Sequence, residues 1–290
     1  MKFKLLAVLA ALTGLLTGCM TAPELTDTAV PATSELAVSV TSDLNIYCFQ
    51  AGKADAFLLW NDSGAVLIDA GESGFGKTVV EKLGELGIQR LDYLIITHFD
   101  KDHVGGAKKI LTDIPVGTVL QSNSPKEDAA AYEKYLKALA EKGMEAVTVR
   151  ETLNFNLGEV RFSVDPPARE SYQTDASNNS SLIVSVTHGA KRLLFAGDAG
   201  DERLNEFLER EPGRFDLVKL PHHGAWQSSL TALLEQTSPA WAVVTSSDEE
   251  PEDQKTLELL AEKGVQIFLT RTAPVLVTST PDGLTVAYAE

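Results

Sequence analysis

The chemistry of this chain is concentrated in ten residues, THFDKDHVGG (97–106). Two imidazoles (His98, His103) and two carboxylates (Asp100, Asp102) crowd into one short stretch, directly after the apolar run LDYLII, which reads as a buried strand. Buried strands do not ordinarily end in so much charge. The chain has five histidines, His98, His103, His188, His222 and His223. Four of them stand at the ends of apolar strand-like runs beside glycines, the second pair in LVKLPHHG, and LLFAGD brings Asp198 to the end of a third run. In sheet proteins, functional groups converge at such strand ends. Neutral imidazoles and carboxylates are ligands for divalent transition metals, and two neighbouring cations need several carboxylates to offset their charge. Two metals about 3.5–4 Å apart can share an activated hydroxide and stabilise an oxyanion during hydrolysis. The competing use of Asp100 or Asp102 is to cap the helix that follows. A cap takes one carboxylate, however, not two flanked by two imidazoles.

The elements that must hold these groups alternate along the chain. LAVSVTSDLNIYCFQAG, DAFLLWND and GAVLIDAG are strand-like runs divided by Gly, Asn and Asp. The spacing predicts helices over 75–86, 104–112, 126–142, 200–210, 228–237 and 252–263, with strands between them and hairpins turning near Gly158 and at 188–191. Hairpins followed by β–α alternation, twice over, imply two mixed sheets sandwiched between helices. His188 falls in the second hairpin turn and reads as a surface residue.

Four motifs in this order, LIDAG (67–71), THFDKDHVGG, LLFAGD (193–198) and PHHG (221–224), resemble those of the metallo-β-lactamase superfamily. Asp100 stands where the second histidine of H-x-H-x-D-H is usual, and NNSSLIVSV (178–186) stands where many members carry another histidine. The set H-x-D-x-D-H, N-N-x-S-L, a strand ending in G-D, and P-H-H-G is similar to the hydrolase domain of the ComEC family of DNA-uptake proteins, over residues 42–290 and without the channel. The resemblance implies an αββα sandwich over residues 41–290 and two divalent metal ions, zinc or manganese. It implies that Asp102, His103 and one of His222 or His223 bind one metal, that His98 and Asp100 bind the other, and that Asp198 bridges. Asp69 matches the buried aspartate that orients the histidine loop. Asn179 matches a position near the site and, with Asp100 and Asp102, is a catalytic candidate; a polar turn before a strand is the other use of Asn179. An oxygen-rich first half-site shifts preference toward manganese. The implied function is hydrolysis of a phosphodiester, in a small molecule or a nucleic acid, by a hydroxide bridging two metals. Hydrolysis of an ester or lactone at the same site, and a competence-accessory or binding role with structural metals, are the alternatives.

One motif points elsewhere. GESGFGKT (71–78) satisfies the phosphate-loop pattern G-x-x-x-x-G-K-[ST]. Glu72 would place a carboxylate inside a cradle meant for anions, and the segment follows hairpin strands rather than opening a parallel sheet. The expectation is a tight turn leading into an ordinary helix.

Residues 1–18 carry Lys2 and Lys4, then an apolar stretch short for a membrane span, and LTGC (16–19) resembles the bacterial lipobox. Cys19 is then acylated, and the Thr/Ala/Pro-rich residues 19–40 serve as a tether. The expected protein is a monomer outside the cytoplasm, held to a bacterial membrane through lipid only. Cys48, the other of two cysteines, reads as a small buried hydrophobe. The net charge of −16 gives no general attraction to nucleic acid, and no basic run is evident. The acidic SSDEEPEDQ (246–254) and Trp226 depart from the family pattern and, if they line the cleft, would repel a polyanion.

Overall fold

Strand Leu44–Cys48 (β1) buries alternate residues, as a half-covered antiparallel strand does, whereas Leu91–Ile96 (β4) ends in an unbroken buried run, as a parallel strand does. The computed structural model describes residues 42–126, 129–210 and 213–289. The expected signal segment, Cys19 and the tether lie outside the described residues, and so do two residues of the helix expected over 126–142.

The first half of the chain gives β1, then Phe57–Asn61 (β2), Gly64–Ile68 (β3), helix Gly76–Glu85 (α1), β4, helices Lys101–Val104 (α2) and Ala107–Asp113 (α3), Val116–Gln121 (β5), helix Ala130–Glu141 (α4) and Val147–Thr148 (β6). Next come the hairpin Leu153–Leu157 (β7) and Val160–Asp165 (β8), the short helix Ala176–Asn179 (α5), and the hairpin Ile183–His188 (β9) and Lys191–Phe195 (β10). Helix Asp201–Arg210 (α6), Leu217–Lys219 (β11), a 3-10 turn at Pro221–Gly224, helix Leu230–Thr237 (α7), Trp241–Val244 (β12), helix Gln254–Glu262 (α8) and Gln266–Leu269 (β13) complete the second alternation. Val275–Ser279 (β14) and Leu284–Tyr288 (β15) then return to the first sheet beside β1.

The sheet orders are β15-β14-β1-β2-β3-β4-β5-β6 and β13-β12-β11-β10-β9-β8-β7. Each sheet is antiparallel on its hairpin side and parallel where helices intervene, from β3 to β6 and from β10 to β13. One core lies between the sheets, with Ile46, Phe57 and Ile95 packed with Phe162, Val184 and Phe195. A second packs the first sheet on α1, α3 and α4 through Val79, Leu83, Ile110 and Tyr135. A third packs the other sheet on α6, α7 and α8 through Leu204, Phe207, Leu233 and Leu260. The layers are helices, sheet, sheet, helices, which is the αββα sandwich the motifs imply. Among the described residues no helix is long and apolar enough to cross a membrane.

Two expectations are corrected. The helix expected over 104–112 is two helices, α2 and α3, parted at Gly105 and Gly106. A Cβ on Gly106 would lie 2.1 Å from the Ala70 carbonyl oxygen, so the glycines let this turn touch the loop after β3. His188 is buried, not on the surface: its Nδ1 lies 3.3 Å from Ser279 Oγ of β14, and the next turn is covered by Pro281, whose carbonyl accepts from the Ala190 amide at 2.8 Å.

Candidate metal centre

The ends of parallel strands from both sheets meet at one place. Asp69 follows β3, His98 follows β4, Asp198 follows β10, and the Pro221–Gly224 turn follows β11. Among the described residues, three of the five non-glycine residues with positive φ are here, Asp69 (56°), His222 (48°) and His223 (53°). Such conformations cost free energy and concentrate where a site dictates side-chain direction.

Asp69 is fully buried and fixes the histidine loop. Its Oδ1 accepts from the Thr97 amide at 2.8 Å, and its Oδ2 accepts from Thr97 Oγ1 at 2.7 Å and from His103 Nδ1 at 2.8 Å. With Nδ1 donating, His103 presents Nε2 as the free nitrogen. His223 is set in the same way: its Nδ1 meets Thr245 Oγ1 at 2.9 Å, and that hydroxyl donates to Asp55 Oδ1 at 2.7 Å. His98 Nδ1 lies 3.2 Å from Thr97 Oγ1 and 3.4 Å from Ser181 Oγ.

The freed atoms converge. His103 Nε2 and His223 Nε2 lie 3.2 and 3.0 Å from Asp198 Oδ2, and His223 Nε2 lies 3.4 Å from Asp102 Oδ2. Asp102, His103, Asp198 and His223 form a group whose ligand atoms all fall within 4.8 Å of one another. These distances are those of ion pairs, but the angles are not those of hydrogen bonds: His98 Nε2, His103 Nε2, His223 Nε2 and Asp198 Oδ1 are buried without a hydrogen-bond partner among the described residues. Buried polar atoms without partners cost free energy unless a cation satisfies them, and two of these four, His103 Nε2 and His223 Nε2, face the same carboxylate oxygen. The donor set, imidazole nitrogen and carboxylate oxygen, fits a divalent transition metal.

The charges are mutually tuned. Burial and the neighbouring His103 push His98 down to about 4, so its ring is neutral. Burial works against protonation of His223, yet the charges of Asp198, Asp102 and Asp55 push it up to about 9, and His103 is raised in the same manner by Asp198 and Asp69. Asp198 sits well below the usual carboxylate range: burial alone would raise it, but His103, His223 and Lys219 outweigh that. The carboxylates that raise the two rings are the groups that would share a cation with them, so metal and protons compete for the same ring nitrogens.

The other predicted residues are placed as follows. Asp100 stands at the start of α2 but makes no capping bond. Its Oδ1 is 4.0 Å from His98 Nε2, accepts from Lys126 Nζ at 2.6 Å and from the Ser177 hydroxyl, and its side chain is 27% exposed against 3% for Asp198. His222 is not in the cluster; its Nε2 lies 3.4 Å from Asn178 Nδ2. Both ends of the Asn179 amide are used in the scaffold, Oδ1 accepting from the Arg203 amide at 3.0 Å and Nδ2 donating to the Thr174 carbonyl at 2.9 Å. Cys48 is buried in the core between the sheets.

Sequence reasoning missed Asp55 and Lys219. Lys219 is fully buried, pairs with Asp55 Oδ2, donates to the Gly197 carbonyl at 2.9 Å and lies 3.5 Å from Asp198 Oδ1. Burial would lower its pKa, but Asp55 and Asp198 raise it, so it stays charged. It is a permanent cation behind the centre.

The phosphate-loop match is explained by packing. Gly76 meets Gly106, where a Cβ would fall 2.3 Å from a carbonyl oxygen, and the Gly71 amide donates to the Asp55 carbonyl at 2.8 Å. Lys77 points to solvent and pairs with Glu81 at 3.4 Å.

A family model for the metallo-β-lactamase superfamily matches residues 50–246, and the chain belongs to that superfamily. Within it the chain resembles the hydrolase part of the ComEC family. It is 29% identical over 205 residues to the ComE operon protein 3 of Bacillus subtilis, covering 67% of this chain and 25% of that protein. It is 27% identical over 199 residues to Recombination protein 2 of Haemophilus influenzae, covering 67% and 23%. The chain thus spans about a quarter of the length of these curated relatives. In fold it is similar to the metallo-β-lactamase fold protein YhfI from Bacillus subtilis, with a TM-score of 0.51, 11% identity, and coverage of 85% of this chain and 100% of that one.

Proposed function

We propose that this protein is a metal-dependent phosphodiesterase. The observation that carries the reading is the convergence of Asp102, His103, Asp198 and His223, with buried ring nitrogens and a carboxylate oxygen left without protein partners. Those residues would hold the tighter ion, and His98 with Asp100 would hold a second. A bound divalent ion supplies Lewis acidity, activating water and stabilising negative charge that develops on a phosphoryl oxygen. The chain does the remainder. Asp69 and Thr245 orient His103 and His223, Lys219 offsets the carboxylate charge behind the centre, and Asp100 or Asp102 accepts a proton at the open side. The lipobox-like LTGC supports a tether through Cys19 on the outer face of a bacterial membrane.

The test uses the full chain in detergent, with metal counted per chain and turnover measured on bis(p-nitrophenyl) phosphate, an aryl ester and a lactone. Phosphodiester turnover that chelation abolishes, and that manganese restores more fully than zinc, is expected. Turnover of the ester or lactone alone would move the substrate class. Bound metal with no turnover on any of the three would leave a binding role with structural metals.

A further inference from the structure

His103 has carboxylates on both sides of its ring. On the Nε2 side stand Asp102 and Asp198, with His223, which form the centre described above. On the Nδ1 side stand Asp55 and Asp69. Asp55, Asp69 and His103 make a second buried group whose ligand atoms all fall within 4.8 Å of one another. His103 Nδ1 lies 2.8 Å from Asp69 Oδ2 and 3.9 Å from Asp55 Oδ2. Distance therefore does not decide which side of the ring takes an ion. Donor chemistry does not decide it either, since both sides offer imidazole nitrogen and carboxylate oxygen.

The difference lies in a cation already in place. Both oxygens of Asp69 accept from Thr97, and one of them also meets His103. Asp55 accepts from Thr245 with Oδ1 and turns Oδ2 to the Lys219 ammonium. The same ammonium donates to the Gly197 carbonyl at 2.9 Å and lies 3.5 Å from Asp198 Oδ1. That carboxylate oxygen is buried and has no hydrogen-bond partner among the described residues. Lys219 Nζ thus occupies a buried seat of oxygens from Asp55, Gly197 and Asp198, the donor type a hard divalent cation takes. Lysine is almost never fully buried unless it is paired, and a seat filled by an ammonium has no room for an ion.

We propose that Lys219 selects the side of His103 on which metal binds: its ammonium fills the cation seat beside Asp55, which leaves an ion the Nε2 side and leaves Asp198 only Oδ2 to offer it. The proposal rests on the metal-centre reading above. Lys219 is a positioning residue, fully buried and acting through Asp55 and Asp198. An uncharged side chain of similar length in its place leaves Asp55 Oδ2 and Asp198 Oδ1 unmatched in the interior. Uncompensated buried charge is strongly destabilising, and a divalent ion in the vacated seat relieves it. Oxygen donors favour manganese there over zinc.

The experiment counts bound manganese by calorimetric titration of the full chain in detergent, and follows thermal melting with and without manganese. The proteins compared are the wild type, Lys219→Met and Asp55→Asn/Lys219→Met. Lys219→Met should bind one equivalent more than the wild type. Without manganese it should melt lower than the wild type, and added manganese should raise its melting temperature by more. In the double variant the seat loses a carboxylate along with the ammonium, while the new amide can still accept from Thr245, so the extra equivalent should vanish. A purely structural role for Lys219 would lower the melting temperature and leave the count of ions alone. A Lys219→Met protein that binds the wild-type number of equivalents, or that stays unfolded at saturating manganese, overturns the proposal. So does an extra equivalent that persists in the double variant. A wild type that binds no metal, beside a Lys219→Met protein that binds one equivalent, would sustain the seat and remove the metal-centre reading instead.

Discussion

Around His103 and His223, each ring nitrogen facing away from the centre has a fixed buried partner, Asp69 in one case and Thr245 backed by Asp55 in the other. Around Asp100 the partners are Lys126, itself 43% exposed, and Ser177, and the nearest imidazole nitrogen is 4.0 Å away. The two halves use similar ligand types and each has a fully buried imidazole, yet only the second has its carboxylate tied to a solvent-facing ammonium. A buried ligand with a buried orienting partner is preorganised, so metal binding orders little more. A half-exposed carboxylate already paired with an ammonium must give up that partner first. On the proposed reading the difference makes the two sites unequal, with the first equivalent of metal bound more tightly at the His103–His223 side.

The hardest blow to that contrast is Asp198→Ala. Asp198 touches both imidazoles and Lys219, so its loss leaves the His103–His223 half without its central carboxylate. Turnover of bis(p-nitrophenyl) phosphate should fall about a thousandfold, the upper range for loss of one charge-stabilising group, and bound metal should fall with it. An active variant retaining its metal would mean that the site is misplaced.

Next in size is the pair His223→Ala and His222→Ala, neighbours in sequence with different surroundings. His223→Ala removes a member of the buried cluster, and affinity for the first equivalent should drop about a hundredfold by calorimetric titration. His222→Ala should leave that equivalent within about threefold, because its ring contacts Asn178 instead. Equal losses in both variants would erase the distinction drawn between the two rings.

How much of this was legible beforehand follows from the same contrast. His98, His103, Asp198 and the His222–His223 pair announce themselves because polar residues at the ends of apolar runs have few structural uses. Asp55 and Lys219 do not, since each is a single charge bounding an ordinary strand in DAFLLWND or LVKL. Only the stacking of two sheets makes them face each other. The choice between His222 and His223 was open for the same reason: both take a positive φ, and only the neighbours brought in by the fold, Asn178 for one and Thr245 for the other, tell them apart. His188 misled because the chain that buries it, Ser279 to Pro281, comes some ninety residues later. The sandwich was readable from β–α alternation, whereas the return of β14 and β15 to the first sheet is a long-range pairing with no local signal.

A smaller effect should sharpen the contrast from the weak side. Lys126→Met removes the ammonium that competes with metal for Asp100. The second equivalent should bind about fivefold tighter, the most that a partly exposed pair of this kind is worth, and the first should be unchanged. The measurement is a two-site titration with manganese or zinc. Tightening of the first equivalent instead would place Asp100 with the other half.

The smallest effect tests what braces the strong side. Glu252 packs against Gly224, next to His223, and its carboxylate accepts from Ser246 Oγ at 2.6 Å and from Arg271 Nη2 at 3.2 Å. Burial would raise its pKa, but the bonds from Arg271 and Ser246 outweigh that and hold it below the ordinary 4.5. A carboxyl depressed in the folded state contributes stability above its unfolded value and loses it as pH falls through the folded one. The pair therefore acts fully at pH 7 and fades below about pH 4.5. Arg271→Leu should lower the melting temperature of the metal-free protein by about 2 °C at pH 7, a modest shift because the arginine is partly exposed. As pH falls through the lowered folded-state value of Glu252 the gap should narrow, because protonation of the carboxyl removes the pair. Keeping metal out removes ligand loss from the comparison. A gap that persists or widens in acid would show that Arg271 braces the turn by packing its stem rather than by charge, and the pH dependence of the strong half would then belong to its histidines and aspartates alone.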